Sequence, residues 1–175
     1  MTVVEVFEMT SKGGATDFAV VIEFCQSLKG YCLIGGLAVN CYVEPVYTMD
    51  ADFVLVPAAP PELPAALGAS GFKVDTFAHS INAFRELSNL RIQFTTDPRY
   101  AEFPNRALER EVLGETVRVA ALEDVFQGKL WAWSDPARRL TKRKKDELDL
   151  IRLAESYPAL RLSLPDPIRV LFEAI

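Results

Sequence analysis

A lone histidine, three cysteines and no apolar run long enough to cross a bilayer bound what this 175-residue chain does. A membrane-spanning helix needs about 18 to 20 consecutive apolar residues, and no segment approaches that. The opening "MTVVEVFEMTSKGG" also lacks the basic segment and continuous apolar stretch of a secretory leader, so the chain is expected in the cytoplasm without membrane contact. His79 lies in a loop-like stretch with no Ser or Cys partner at a telling spacing, which argues against a nucleophile–histidine triad. Cys25, Cys32 and Cys41 are odd in number, sit in apolar segments and show no CxxC or CxxxH spacing. They are expected to be reduced core thiols, neither metal ligands nor a disulfide. A basic excess is missing too: 24 acidic against 19 basic residues give a formal charge of −5, so any nucleic-acid contact must come from a local patch. There is no internal repeat, and biased composition is confined to the Pro/Ala stretch that begins at Pro57.

What is present is the composition of one folded domain with a real core, half apolar and a quarter charged. "TDFAVVIEFCQSLKG" predicts a helix with Thr16 or Asp17 as N-cap and Gly30 as its stop. "YCLIG" is a short strand running into Gly-Gly, "LAVNCYVE" (37–44) predicts a helix closed by Pro45, and "DADFVLV" (50–56) predicts a strand. "PAALGAS" predicts a short helix, and "FKVDTF", "INAFREL" and "LRIQFTT" three strands, the last two joined across Ser88-Asn89. "REVLGETVRVA" predicts a hairpin turning at Leu113-Gly114. From Ala121 onward "ALEDVFQGKLWAWS" predicts an amphipathic helix. Asp135-Pro136 restarts it into "ARRLTKRKKDELDLIRLAESY", with Leu140, Leu148, Ile151, Leu153 and Ala154 as the apolar stripe. "LPDPIRVLFEAI" closes the chain as a short helix. The order predicts an α/β (α+β) fold: a core over 1–120 with a mixed sheet flanked by helices, and a C-terminal helical layer over 121–175 packed on it as one compact unit.

One stretch does not suit a passive core. Asp50 and Asp52 open an otherwise apolar strand, and side chains two apart on a strand share a face, with Cα atoms about 6.5 Å apart. Two carboxylates there repel, and each costs free energy to desolvate unless something pairs with it. A divalent cation resolves this, since Mg²⁺ favours one or two carboxylates completed by water and phosphate oxygens. Gly35-Gly36 sits between the preceding strand and helix, where glycine lets backbone approach a phosphate and free N–H groups face an anion. Thirteen residues, Leu37 to Met49, return the chain to the neighbouring strand, so both features face one cleft. Alone, Gly-Gly is a common turn and Asp-x-Asp a common strand end; together they point to Mg²⁺-assisted phosphate chemistry.

These residues resemble the polymerase-beta-like nucleotidyltransferase superfamily, whose signature is a Gly-Gly or Gly-Ser turn, a helix, and Asp-x-Asp on the next strand. More narrowly, "IGGLAV…TMDADFVLV" with the downstream "GKLWAW" and "KKDELDL" resembles the AbiEii-like and MenT-like nucleotidyltransferases of toxin–antitoxin systems and their relatives. The resemblance spans about Tyr31 to Leu153. It implies that Gly35, Gly36 and Thr48 hold the nucleotide, that Asp50 and Asp52 are catalytic and bind Mg²⁺, and that Lys129 contacts a nucleotide phosphate. It implies that Asp146 faces the nucleotide cleft or braces the basic residues beside it. It further implies an NTP substrate, an RNA or protein hydroxyl as acceptor, and an antitoxin partner.

The chain also departs from that pattern. Related proteins carry an arginine four residues before the first aspartate, where this chain has Val46, and many supply a third carboxylate from a later strand, where this chain has Gln93. Asp97 shares the strand parity of Gln93 but would lie about 13 Å further along a straight strand, and Glu86 on the preceding strand is the other acid to consider. A third acid would serve as general base; without it the alternative reading is a catalytically weakened module that binds nucleotide or a partner on the same fold. Arg138, Lys142 and Lys145 share one face of their helix, placed to steer polyphosphate or an RNA backbone, or simply to be solvated and paired with Asp146, Glu147 and Asp149. Trp131 and Trp133 cannot share a helix face, so one is expected in the core.

Overall fold

The computed structural model describes residues 2–173. Seven strands, β1 (Tyr31–Ile34), β2 (Asp50–Leu55), β3 (Lys73–Thr76), β4 (Ser80–Phe84), β5 (Arg91–Thr95), β6 (Leu108–Val112) and β7 (Glu115–Val119), form one sheet in the order β3-β4-β5-β2-β1-β7-β6. β2 runs parallel to β5 and β1 parallel to β7, while the remaining neighbours are antiparallel. The predicted hairpin turns at Leu113 and Gly114, both left-handed (φ 52° and 89°), the geometry that matches the twist of the flanking strands.

Among the described residues eight α-helices pack around this sheet: α1 (Val3–Ser11), α2 (Gly14–Gln26), α3 (Gly35–Val39), α4 (Leu63–Ala69), α5 (Phe103–Arg106), α6 (Leu122–Ser134), α7 (Leu140–Ser156) and α8 (Asp166–Glu173). Phe53 on β2 stacks between Phe18 of α2 and Phe94 of β5, with ring centroids 6.1 and 5.5 Å apart. By alternation Asp50 and Asp52 point to the opposite face, toward α6 and α7. Cys25 and Cys32 are buried, and burial pushes both thiols up to about 12, so they are inert. Among the described residues no helix is long and apolar enough to cross a membrane.

Three local expectations fail for physical reasons. The helix predicted over 37–44 stops at Val39, because the Asn40 amide brackets the following loop: Nδ2 donates to the Val46 carbonyl (2.7 Å) and Oδ1 accepts from the Val46 N–H (3.0 Å). No helix restarts at Asp135-Pro136; Asp135 Oδ1 instead accepts from the Ala137 N–H at 2.9 Å, and α7 begins at Leu140. The inward face of α7 keeps only part of the expected stripe. Leu153 and Ala154 are buried as expected, but Leu140 and Leu148 are 69% and 48% exposed, and Asp146, Asp149 and Leu150 are buried in their stead. Two acids turn inward because a lysine on α6 meets them there.

Candidate active site

β1 delivers the chain to Gly35 directly beside β2, since Ile34 pairs with Asp52. Gly35 is left-handed (φ 72°), and a Cβ on it would lie 2.3 Å from Asp52 Oδ2. Any other L-residue is excluded twice, by backbone strain and by the carboxylate itself. A Cβ on Gly36 would crowd Thr48 Oγ1 at 3.3 Å. Thr48 Oγ1 in turn accepts from the Asp50 N–H at 3.4 Å, so the Gly-Gly turn, Thr48, Asp50 and Asp52 are packed together as one unit. α3 has only five residues, so an anion at its start would be held by a few N–H groups and little helix dipole.

Burial pushes the Asp52 carboxyl up from its ordinary 3.8 to about 6, and the charge of Asp50 adds to the rise; Lys129, Lys142 and Arg138 pull it back. The folded protein therefore holds a proton on Asp52 that the unfolded chain has already lost, and this contribution to stability is present below pH 4 and lost as pH rises through 6. A carboxamide at this position has no such proton to lose. The melting temperature of Asp52→Asn minus that of the metal-free wild type is expected to grow from pH 4 to pH 7, by an amount equivalent to roughly 2 kcal/mol. A difference that stays flat over that interval would contradict the assignment.

Strand register places Gln93 of β5 level with Asp52 and Asn82 of β4 level with Gln93. The Asn82 Oδ1 is buried with no hydrogen-bond partner. Asp97 lies past the end of β5, where it caps a 3-10 turn, and Arg99 grips its carboxylate (Nη2 to Oδ2, 2.7 Å), holding it below the usual range. Glu86 is exposed and faces Lys73 at 3.4 Å. Neither acid stands in the row with Asp52. Among the described residues no three His, Cys, Asp or Glu side chains converge, so Asp50 and Asp52 offer two hard oxygen donors and leave the rest of a cation's shell to water or phosphate.

Over these strands α6 and α7 spread a chain of ion pairs. Lys129, 9% exposed, touches Asp149 at 2.7 Å and Asp146 at 3.1 Å. Burial alone would push its ammonium down; the two aspartates outweigh this and hold it above the ordinary lysine value. Arg138 closes on the far oxygen of Asp146, and Arg152 on Asp149 at 2.7 Å. Arg152 then reaches the loop after α3, donating to Asn40 Oδ1 at 3.1 Å and to the Glu44 carbonyl. Lys142 pairs with Asp50 itself.

Two cavities meet at Asp52, Gln93, Lys129, Arg138 and Asp146. The larger, about 460 Å³, adds Gly36, Thr48, Asp50, Lys142, Lys145 and Arg152. The smaller, about 220 Å³, adds Gly35, Asp97, Arg99, Tyr100 and Asp124. Every residue singled out from the Gly-Gly, Asp-x-Asp, Lys129 and Asp146 motifs is thus brought to one cleft. The tryptophans are both half-buried: Trp131 stacks on Phe103 (5.8 Å), and Trp133 Nε1 donates to Glu147 at 3.1 Å. Sequence reasoning missed Arg152 and Asn40; the one available signal was Arg152 lying three positions after Asp149 on a helix.

The mixed seven-stranded sheet with its flanking helices matches the fold of known nucleotidyltransferase structures. The lincosamide antibiotic adenylyltransferase LnuA, in its lincomycin-bound crystal structure, is similar over 81% of this chain and 96% of its own, with 10% identity and a TM-score of 0.56. The antibiotic-resistance factor ANT(2'')-Ia in solution is similar over 99% and 94% of the two chains, with 17% identity and a TM-score of 0.56. Its crystal structure in complex with adenylyl-2''-tobramycin covers 97% of each chain at 18% identity and a TM-score of 0.53. An antigenic nucleotidyltransferase-like protein from Paracoccidioides brasiliensis is similar over 83% and 77%, with 16% identity and a TM-score of 0.54. At these identities the likeness is one of fold. No family model and no curated protein matches the sequence.

Proposed function

We propose that the protein transfers a nucleoside monophosphate from an NTP to a hydroxyl group, with Mg²⁺ as cofactor. The observation that carries this reading is the packing of Gly35 against Asp52, which leaves room for backbone and carboxylate and for no side chain. Asp50 and Asp52 would hold the metal, which when bound neutralises phosphate charge and favours in-line displacement. Gly35, Gly36 and Thr48 would border the nucleotide. Lys129 and Arg138, fixed by Asp146, would present positive charge to the phosphates without having to reorganise, so that Asp146 acts by bracing these cations. The acceptor oxygen attacks the α-phosphorus, the bond to the bridging oxygen of pyrophosphate breaks, and the hydroxyl proton is released. The motif resemblance favours an RNA or protein acceptor and a partner encoded beside this chain, in the manner of AbiEii-like and MenT-like systems; the structurally similar LnuA and ANT(2'')-Ia make a small hydroxylated acceptor the competing class.

Incubation with α-labelled NTPs, Mg²⁺ and separate acceptor pools of RNA, protein and small hydroxylated compounds is expected to label one pool. Calorimetric binding of Mg²⁺–NTP with no label in any pool would favour the second reading, a nucleotide-binding module. Gln93 motivates that reading, because it is level with Asp52 and cannot take a proton. Its replacement gives a further expected result: Gln93→Glu adds a carboxylate in the row and should raise the transfer rate by about 10²-fold. A rate that falls would mean that the acceptor proton leaves by a route the new charge obstructs.

A further inference from the structure

Lys142 stands where a cation would. Its ammonium lies against Asp50 Oδ2 across 92 positions of chain, and the two side chains are 31% and 32% exposed. Apart from Lys145, the other cations of the larger cavity have fixed duties. Lys129 is shared by Asp146 and Asp149, Arg138 is held by Asp146 and Arg152 by Asp149. Arg91 donates to the carbonyls of Ser88 and Leu90 at 2.9 and 3.0 Å. Among these cations Lys142 alone is tied to a carboxylate proposed above for Mg²⁺, and it does so with a partly exposed side chain, on a flexible four-carbon stem that suits a change of partner.

We propose that Lys142 is a polyphosphate ligand whose resting partner is Asp50. When a divalent cation and a nucleoside triphosphate arrive together, Asp50 turns to the cation and Lys142 to the phosphate oxygens. This rests on the nucleotidyltransferase reading. A cation arriving alone has to displace an ammonium and then remain beside it. A triphosphate arriving alone has to take Lys142 from Asp50 and then face two bare carboxylates. Together they replace one opposite-charge contact with two, so each strengthens the binding of the other, and the coupling is reciprocal. The cleft is thereby protected from stray cations and admits the metal with its nucleotide.

The test is Mn²⁺ binding to the nucleotide-free protein, read by electron paramagnetic resonance of the free ion. Lys142→Met is expected to bind Mn²⁺ about tenfold more tightly than wild type, a typical coupling magnitude. An α,β-methylene triphosphate analogue is expected to tighten Mn²⁺ binding to wild type and to have little such effect on Lys142→Met. Lys142→Arg, which keeps the charge, is expected to bind Mn²⁺ as weakly as wild type. Lys142→Gln serves in place of the methionine variant if that one does not fold. Unchanged or weaker Mn²⁺ binding in a folded Lys142→Met or Lys142→Gln protein overturns the exchange alone. Wild type that binds neither Mn²⁺ nor the analogue when both are present overturns the exchange and the nucleotidyltransferase reading together.

Discussion

Asp50→Asn combined with Asp52→Asn is expected to abolish NMP transfer, a loss of at least about 10³-fold, while the protein stays folded. Both changes keep side-chain volume and remove charge from a site where charge is a burden to the metal-free fold: Asp52 is pushed up to about 6 by burial and by its neighbour. The variant is therefore expected to melt no lower than wild type at neutral pH without metal. Loss of labelling from α-labelled NTP, with circular dichroism and melting preserved, is the predicted pair of results. Unchanged labelling would remove these aspartates from the chemistry, and with them the reading of the whole cleft.

The second large effect is on stability. Lys129→Met replaces a buried ammonium by a thioether of similar length and strands Asp146 and Asp149, 1% and 9% exposed, with only one arginine each. Removing one member of a buried ion cluster typically costs about 3 kcal/mol or more, read here as a lower urea midpoint with an unchanged slope. Lys129→Met combined with Asp149→Asn should recover part of the loss, because it removes one of the two stranded charges. A single variant as stable as wild type would mean that the arginines carry both aspartates unaided, and that Lys129 is free for ligand.

The motif strands were legible because their chemistry is local. "YCLI" and "DADFVLV" declare themselves by apolar runs bounded by glycine and proline, and Leu113-Gly114 by the turn it requires. Gln93 could be named as the counterpart of a third acid only through the resemblance, since Asp97 shares its strand parity, and the register sets it level with Asp52. The capping box of α1, Thr2 with Glu5, is written in "TVVE" yet is a weak signal there, because the apolar residues beside it form no clear stripe, Val3, Val6 and Met9 being exposed and Phe7 buried. What the sequence hid is non-local. That α7 turns Asp146 and Asp149 inward depends on Lys129 arriving from another helix, and an apolar stripe drawn through Leu140 and Leu148 has no means of knowing it. The donor that Arg152 adds to Asn40 Oδ1 likewise comes from 112 positions away.

The order in which the chain is made gives the sheet a further meaning. β1, which ends at the Gly-Gly turn, is flanked by β2 and by β7, and Lys129, Arg138 and Lys142 over the cleft come from α6, α7 and the segment between them, later still. On a ribosome the two aspartates emerge long before Lys129, Arg138 and Lys142, and contacts this distant in sequence form slowly because the intervening loop must close first. The nascent chain therefore presents an incomplete cleft until α6 and α7 have docked. Any activity that depends on these cations begins only after α7 has been made.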